Sequence, residues 1–96
     1  MFELIETSVF SKWFDRLRDE RARFIILNRI DHLAAGRLGD CRHIGEGVAE
    51  LKIDFGPGYR IYFARQGKEI IILLAGGDKT TQKRDIARAL LLARSN

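Results

Sequence analysis

A single cysteine, Cys41, excludes an internal disulfide, and the only two histidines, His32 and His43, offer no spacing with it that reads as a metal site. Neither a disulfide scaffold nor a resident metal or other cofactor is expected, and the cytosol is the natural compartment. Long apolar runs are also missing. The longest, Ile70 to Ala75, is far too short to span a bilayer, and Met1-Phe2-Glu3-Leu4-Ile5-Glu6 lacks the basic start and apolar stretch of a signal peptide. Export and membrane association are not expected. There is no internal repeat, linker or low-complexity segment either, and 96 residues, 46% of them hydrophobic, suffice for one core but not two. A single domain over residues 1–96 is the expectation.

What the chain does have is a modest excess of positive charge, formally +4. Residues 76–96 carry Lys79, Lys83, Arg84, Arg88 and Arg94 against Asp78 and Asp85, so most of the excess lies near the C-terminus. Such a bias is consistent with a polyanion or an acidic protein partner, because Lys and Arg displace counterions from phosphates.

The apolar pattern changes period along the chain. Phe2 to Glu6 reads as a short strand, and Thr7 or Ser8 can cap a helix in which Phe10, Trp13, Phe14 and Leu17 make one aromatic stripe, more a core face than a ligand site. Asp19 and Glu20 suit the start of a second helix with Ala22, Ile26, Ile30, Leu33 and Ala34 on one side and Gly36 as its stop. The arginines from Arg16 to Arg23 alternate with Asp15, Asp19 and Glu20, the pattern of a solvated surface with local ion pairs. From about Gly39 the period becomes two. Asp40 to Ile44, Val48 to Phe55, Tyr59 to Phe63 and Glu69 to Ala75 read as strands, with turns at Gly45-Glu46-Gly47, Gly56-Pro57-Gly58 and Gln66-Gly67; the unbroken apolar run from Ile70 to Leu74 suggests that the last strand is covered on both faces. Gly76-Gly77-Asp78-Lys79 closes the last strand, and Asp78 or a following threonine can cap a final helix striped by Ile86, Ala89, Leu90 and Ala93. The expected class is α+β in the order β-α-α-β-β-β-β-α: a helical hairpin on a small, mainly antiparallel sheet, with the helices on one face.

Alternation across the central hairpin carries a chemical consequence. With Leu51, Ile53, Tyr59, Ile61 and Phe63 facing the helices, Glu50, Lys52, Asp54, Arg60 and Tyr62 share the opposite face, which Lys79, Lys83 and Arg84 can border. RNA is cleaved without metal when a base takes the 2′-OH proton, cations stabilise the phosphorane and an acid protonates the leaving 5′-oxygen; lysine and arginine can supply these functions. Spacing alone equally allows Lys52 to pair with Glu50 or Asp54 and keep an exposed sheet face soluble.

Gly47-Val48-Ala49-Glu50-Leu51-Lys52-Ile53, then Gly56-Pro57-Gly58-Tyr59-Arg60-Ile61-Tyr62-Phe63, then Leu73-Leu74-Ala75-Gly76-Gly77-Asp78-Lys79 and Gln82, resembles the RelE/ParE toxin superfamily, and within it the HigB-like phage-related addiction module killer proteins. The resemblance covers nearly the whole chain. It implies the toxin of a type II toxin–antitoxin system, a ribosome-dependent mRNA endoribonuclease held inactive by a cognate antitoxin, commonly a helix-turn-helix protein. By position it implies that Arg60 stabilises the scissile phosphate, Lys52 transfers protons and Lys79 completes the phosphate site. Tyr62 is then the base-stacking candidate, and Lys83 and Arg84 are RNA-binding candidates. Some relatives place a catalytic tyrosine or histidine late in the chain, whereas residues 80–96 contain neither; His43 is the nearest substitute, and a lone histidine there is more often structural. ParE-like members of the superfamily use the same fold to inhibit DNA gyrase, and a decayed or purely binding module is a third reading.

Overall fold

The computed structural model describes residues 1–95. Its elements are β1 (Glu3–Glu6), α1 (Ser8–Asp15), α2 (Glu20–Ala34), β2 (Cys41–Gly45), β3 (Val48–Ile53), β4 (Tyr59–Gln66), β5 (Ile70–Asp78), a 3-10 turn (Lys79–Thr81) and α3 (Gln82–Ser95). This is the order expected from the sequence. The five strands form one sheet, β1-β5-β4-β3-β2, in which the last four make an antiparallel meander and β1 returns beside β5 in parallel. Among the described residues no helix is long and apolar enough to cross a membrane.

The helices begin where side chains can satisfy the free amide groups of a first turn. Thr7 caps α1, accepting from the Phe10 amide at 3.1 Å, and its hydroxyl donates to the Leu74 carbonyl at 2.6 Å, so one threonine starts the helix and fixes it to β5. Asp19 caps α2 through the amides of Arg21 and Ala22. Along α2, Ala22, Ile26, Ile30 and Leu33 are buried as one stripe. That stripe and Phe10 of α1 cover Leu51, Ile53, Tyr59, Ile61 and Phe63, as the alternation predicts.

The opposite face departs from expectation. Instead of being solvated, it is covered by α3, whose Ala89 is buried with Ile86, Leu90 and Ala93 against Val48, Tyr62, Ile72 and Leu74. The helices therefore occupy both faces, and the sequence from Tyr59 to Phe63 is buried without interruption. A strand buried on both sides gains apolar burial from every residue but must satisfy each polar side chain internally.

Gly76 and Gly77 also differ from expectation, which ends the strand at Ala75: both belong to β5. They are sites of close approach on opposite faces: a Cβ at Gly76 would fall within the indole of Trp13, and one at Gly77 within the carboxyl of Asp85. The two glycines let α1 and α3 settle onto the same stretch of strand. Asp78 then ends it, with Asp78 and Thr81 forming a capping box over the 3-10 turn that leads into α3. We expect Gly76→Ala to cost about 2 kcal/mol through overpacking against Trp13. Thermal unfolding should register it as a fall in Tm of roughly 10 °C for a domain of this size, and an unchanged Tm would mean that the indole yields freely.

Candidate functional site

The α3 face of the sheet is closed over its middle and open at one end. Val48 to Ile53 pairs with Ala64 to Tyr59 so that Lys52 stands directly opposite Arg60, and Glu50 opposite Tyr62. Directly opposed side chains project to one face with Cβ atoms about 5 Å apart. The structure thus brings Lys52 and Arg60 together as the alternation predicts. They line a cleft of about 250 Å³ whose other walls are Asp40, Arg42, Glu50 and Gln82.

Arg60 is held in an unusual way for a guanidinium. It is only 6% exposed, its Nη1 donates to the Gly58 carbonyl at 2.6 Å, and its buried Nε has no hydrogen-bond partner among the described residues. Gly58, at φ +81°, makes this possible, because a Cβ there would lie 2.8 Å from Nη1. The same Cβ would lie 3.6 Å from Cβ of Lys79, which places Lys79 against the turn that holds Arg60, although it does not line the cleft itself. Lys52 remains exposed, and its main chain is fixed instead: its amide donates to the Asp40 carbonyl and its carbonyl accepts from Arg29 Nη1. Neither Lys52 nor Arg60 forms a salt bridge among the described residues, so the surface ion pair of Lys52 with Glu50 or Asp54 is not the arrangement found.

Glu50 has a different set of partners. It is 2% exposed; Oε1 accepts from Arg42 Nε at 2.8 Å, and Oε2 accepts from the Tyr62 hydroxyl at 3.0 Å and Gln82 Nε2 at 2.9 Å. Burial alone would raise its pKa, but the three hydrogen bonds and the charge of Arg42 outweigh that and hold the carboxyl below its ordinary range. The same environment pushes the Tyr62 phenol up, through its own burial and the adjoining Glu50 carboxylate, so it stays a donor. Asp40, by contrast, is exposed and its carboxylate has no hydrogen-bond partner among the described residues.

Four of the residues singled out from the sequence stand elsewhere. Tyr62 is fully buried beneath α3, so it offers no ring face for a base to stack on, because α3 covers a face that alternation alone leaves open. Arg84 lines a separate groove between α1 and α3, and the exposed Lys83 lines neither the cleft nor that groove. His43 pairs with Ala49 and opens on the α2 side of the sheet, beside Leu38, Cys41 and Phe63, so it does not reach Arg60. Glu50 was already visible on this face, but its role and those of Arg42 and Gln82 were not. A register slip between His43 and Gly45 hides the opposition of Arg42 and Glu50, and Gln82 arrives from distant sequence.

A family model described as Phage derived protein Gp49-like (DUF891) matches residues 12–94, a span that includes every residue of the cleft. The chain belongs to the Gp49-like family. A relative from Haemophilus influenzae, described as an uncharacterized protein, is 45% identical over 87 residues, which are 91% of this chain and 88% of that one. In this Gp49-like protein the Glu50 cluster joins three strands and α3 around an ionised carboxylate, so its contribution depends on pH. A carboxyl with a depressed folded pKa stabilises above its unfolded value, and that stabilisation is lost as pH falls through the folded one. We therefore expect Glu50→Gln to destabilise the fold by about 2 kcal/mol at neutral pH. The gap to the parent protein should close as pH drops below the ordinary value of 4.5. Thermal melts between neutral and acid pH check this; a gap independent of pH would show that Glu50 is not ionised in the fold.

Proposed function

We propose that this Gp49-like protein is the toxin of a type II toxin–antitoxin pair, a RelE/ParE-type endoribonuclease that cuts mRNA on the ribosome. The observation that carries the reading is Arg60: a buried guanidinium with an unpartnered Nε at the wall of a polar cleft, directly across the strand pair from an exposed lysine. Arg60 makes no ion pair among the described residues, and Asp78 on the neighbouring strand only lies near enough to feel its charge; a phosphodiester would supply the missing direct partner with oxygens that suit a guanidinium. Family membership and the sequence resemblance support the same reading.

In the proposed reaction the ribose 2′-oxygen attacks the adjacent phosphorus, the bond to the 5′-oxygen breaks, and a 2′,3′-cyclic phosphate remains. Arg60 binds the non-bridging oxygens and stabilises the charge that grows on them, while Lys79 at the Gly58 turn adds a second cation. The ammonium of Lys52 gives its proton to the leaving 5′-oxygen. Asp40, the carboxylate of the cleft whose oxygens are unengaged, takes the proton of the 2′-OH. Glu50 cannot do this while both its oxygens are occupied; it positions Arg42 and Gln82 instead. The proposed partner is an antitoxin encoded beside the toxin, a helix-turn-helix protein that blocks the cleft or draws α3 away from Glu50.

Expression without the antitoxin should arrest growth and leave mRNA fragments ending in 2′,3′-cyclic phosphate, made only while ribosomes translate the message. Lys52→Ala and Arg60→Ala should each lower cleavage by about 10²–10⁴-fold, the range for loss of one proton-transfer or charge-stabilising group. Intact mRNA together with defective supercoiling would replace this reading with gyrase inhibition, and growth arrest unaffected by either substitution would remove the cleft from the mechanism.

A further inference from the structure

We propose that the groove between α1 and α3 is a second nucleic-acid subsite, one that holds the phosphodiester backbone of single-stranded RNA running past the Lys52 and Arg60 cleft. The inference rests on the reading of the protein as one that acts on RNA. The groove has a volume of about 370 Å³ and shares no residue with the cleft. Lys12 and Arg16 stand on its α1 wall, and Arg84 and Arg88 on its α3 wall. Each pair is spaced i, i+4, so the charges on either wall repeat about every 6 Å along the helix, a step comparable to that between phosphates of an extended strand.

These cations are free to bind. Lys12, Arg16 and Arg88 are exposed and make no ion pair among the described residues, and Arg84 meets one carboxylate, that of Asp85, only at 3.3 Å and 3.4 Å. Asp85 is itself engaged by the Thr81 hydroxyl at 2.5 Å. Four cations around one occupied carboxylate leave a positive groove. Its floor is formed by Ala75, Gly76 and half-buried Trp13, an aromatic surface on which a base can stack.

The two sites are also placed to share one strand. Gly77 pairs with Arg60 across β4 and β5, and Asp85 of the groove wall lies over Gly77. The groove therefore begins one strand away from Arg60, about 5 Å across the sheet. The start of α3 separates them, with Gln82 on the cleft side and Arg84 and Arg88 on the groove side.

Fluorescence anisotropy with a labelled 2′-O-methyl oligouridine, which cannot be cut, tests the groove directly. The Arg16→Ala/Arg88→Ala double variant should bind about tenfold more weakly. Its slope of log affinity against log salt should shrink by about 1.4, two lost phosphate contacts at about 0.7 each for single strands. Arg37→Ala/Lys68→Ala, which removes the same charge from exposed positions outside the groove, should keep the parental slope. Equal losses in both double variants, or none in the first, would overturn the proposal. So would unchanged RNA binding combined with loss of antitoxin capture, which would assign the groove to an acidic protein. Because the probe is uncleavable, the outcome does not depend on catalysis: a Lys52→Ala toxin that still cuts mRNA would remove the cleft mechanism and leave the groove to be decided by its own salt slope.

Discussion

An ionised carboxylate buried at the junction of a sheet and a helix must be neutralised by hydrogen bonds, and Glu50 meets that requirement in a way that organises the rest of the molecule. Its partners come from three directions: Arg42 on β2, Tyr62 on β4 and Gln82 at the start of α3. Apolar packing of Ala89 and its neighbours gives α3 affinity for the sheet, but an apolar surface tolerates sliding. The Gln82 hydrogen bond fixes where the helix starts. Because α3 starts there, the sheet beyond it stays uncovered, and Lys52 and Arg60 face an open cleft.

The other end of the constraint is β5. It is the strand over which α1 and α3 both pass, and Gly76 and Gly77 remove the side chains that would hold those helices away. Trp13 settles on one glycine and Asp85 on the other. Thr7 adds a direct bond from the first turn of α1 to the Leu74 carbonyl. The groove with its four cations is a by-product of this close approach: two helices drawn onto one strand leave a narrow channel between them, and their outward positions happen to be basic. Cleft and groove are thus consequences of the same seating of α3, one on each side of its first turns.

Much of the fold was legible because apolar periodicity is a local property. The α2 stripe, the caps Thr7, Asp19 and Asp78, and the alternation of β3 and β4 each depend on residues within one or two turns of each other. The pairing of Lys52 with Arg60 followed from the tight Gly56-Pro57-Gly58 turn, which leaves little choice of register. Arg84 and Tyr62 were placed less well for the same reason that they are distant from the elements that decide their surroundings. Nothing near Tyr62 in sequence announces that a helix beginning twenty residues later will lie over it.

The sequence by itself determined the elements, their order, and the juxtaposition of a lysine and an arginine across one hairpin, because these follow from side-chain period and turn chemistry. Only the tertiary structure decided which face α3 covers, and with it whether each polar residue of that face is buried or open. That choice turned Glu50 into an internal anchor, made Tyr62 its donor, left Arg60 buried with an unpartnered Nε, and moved Arg84 to a groove of its own. The physical reason is that desolvation depends on everything packed around a group, and no local pattern reports what arrives from the far end of the chain.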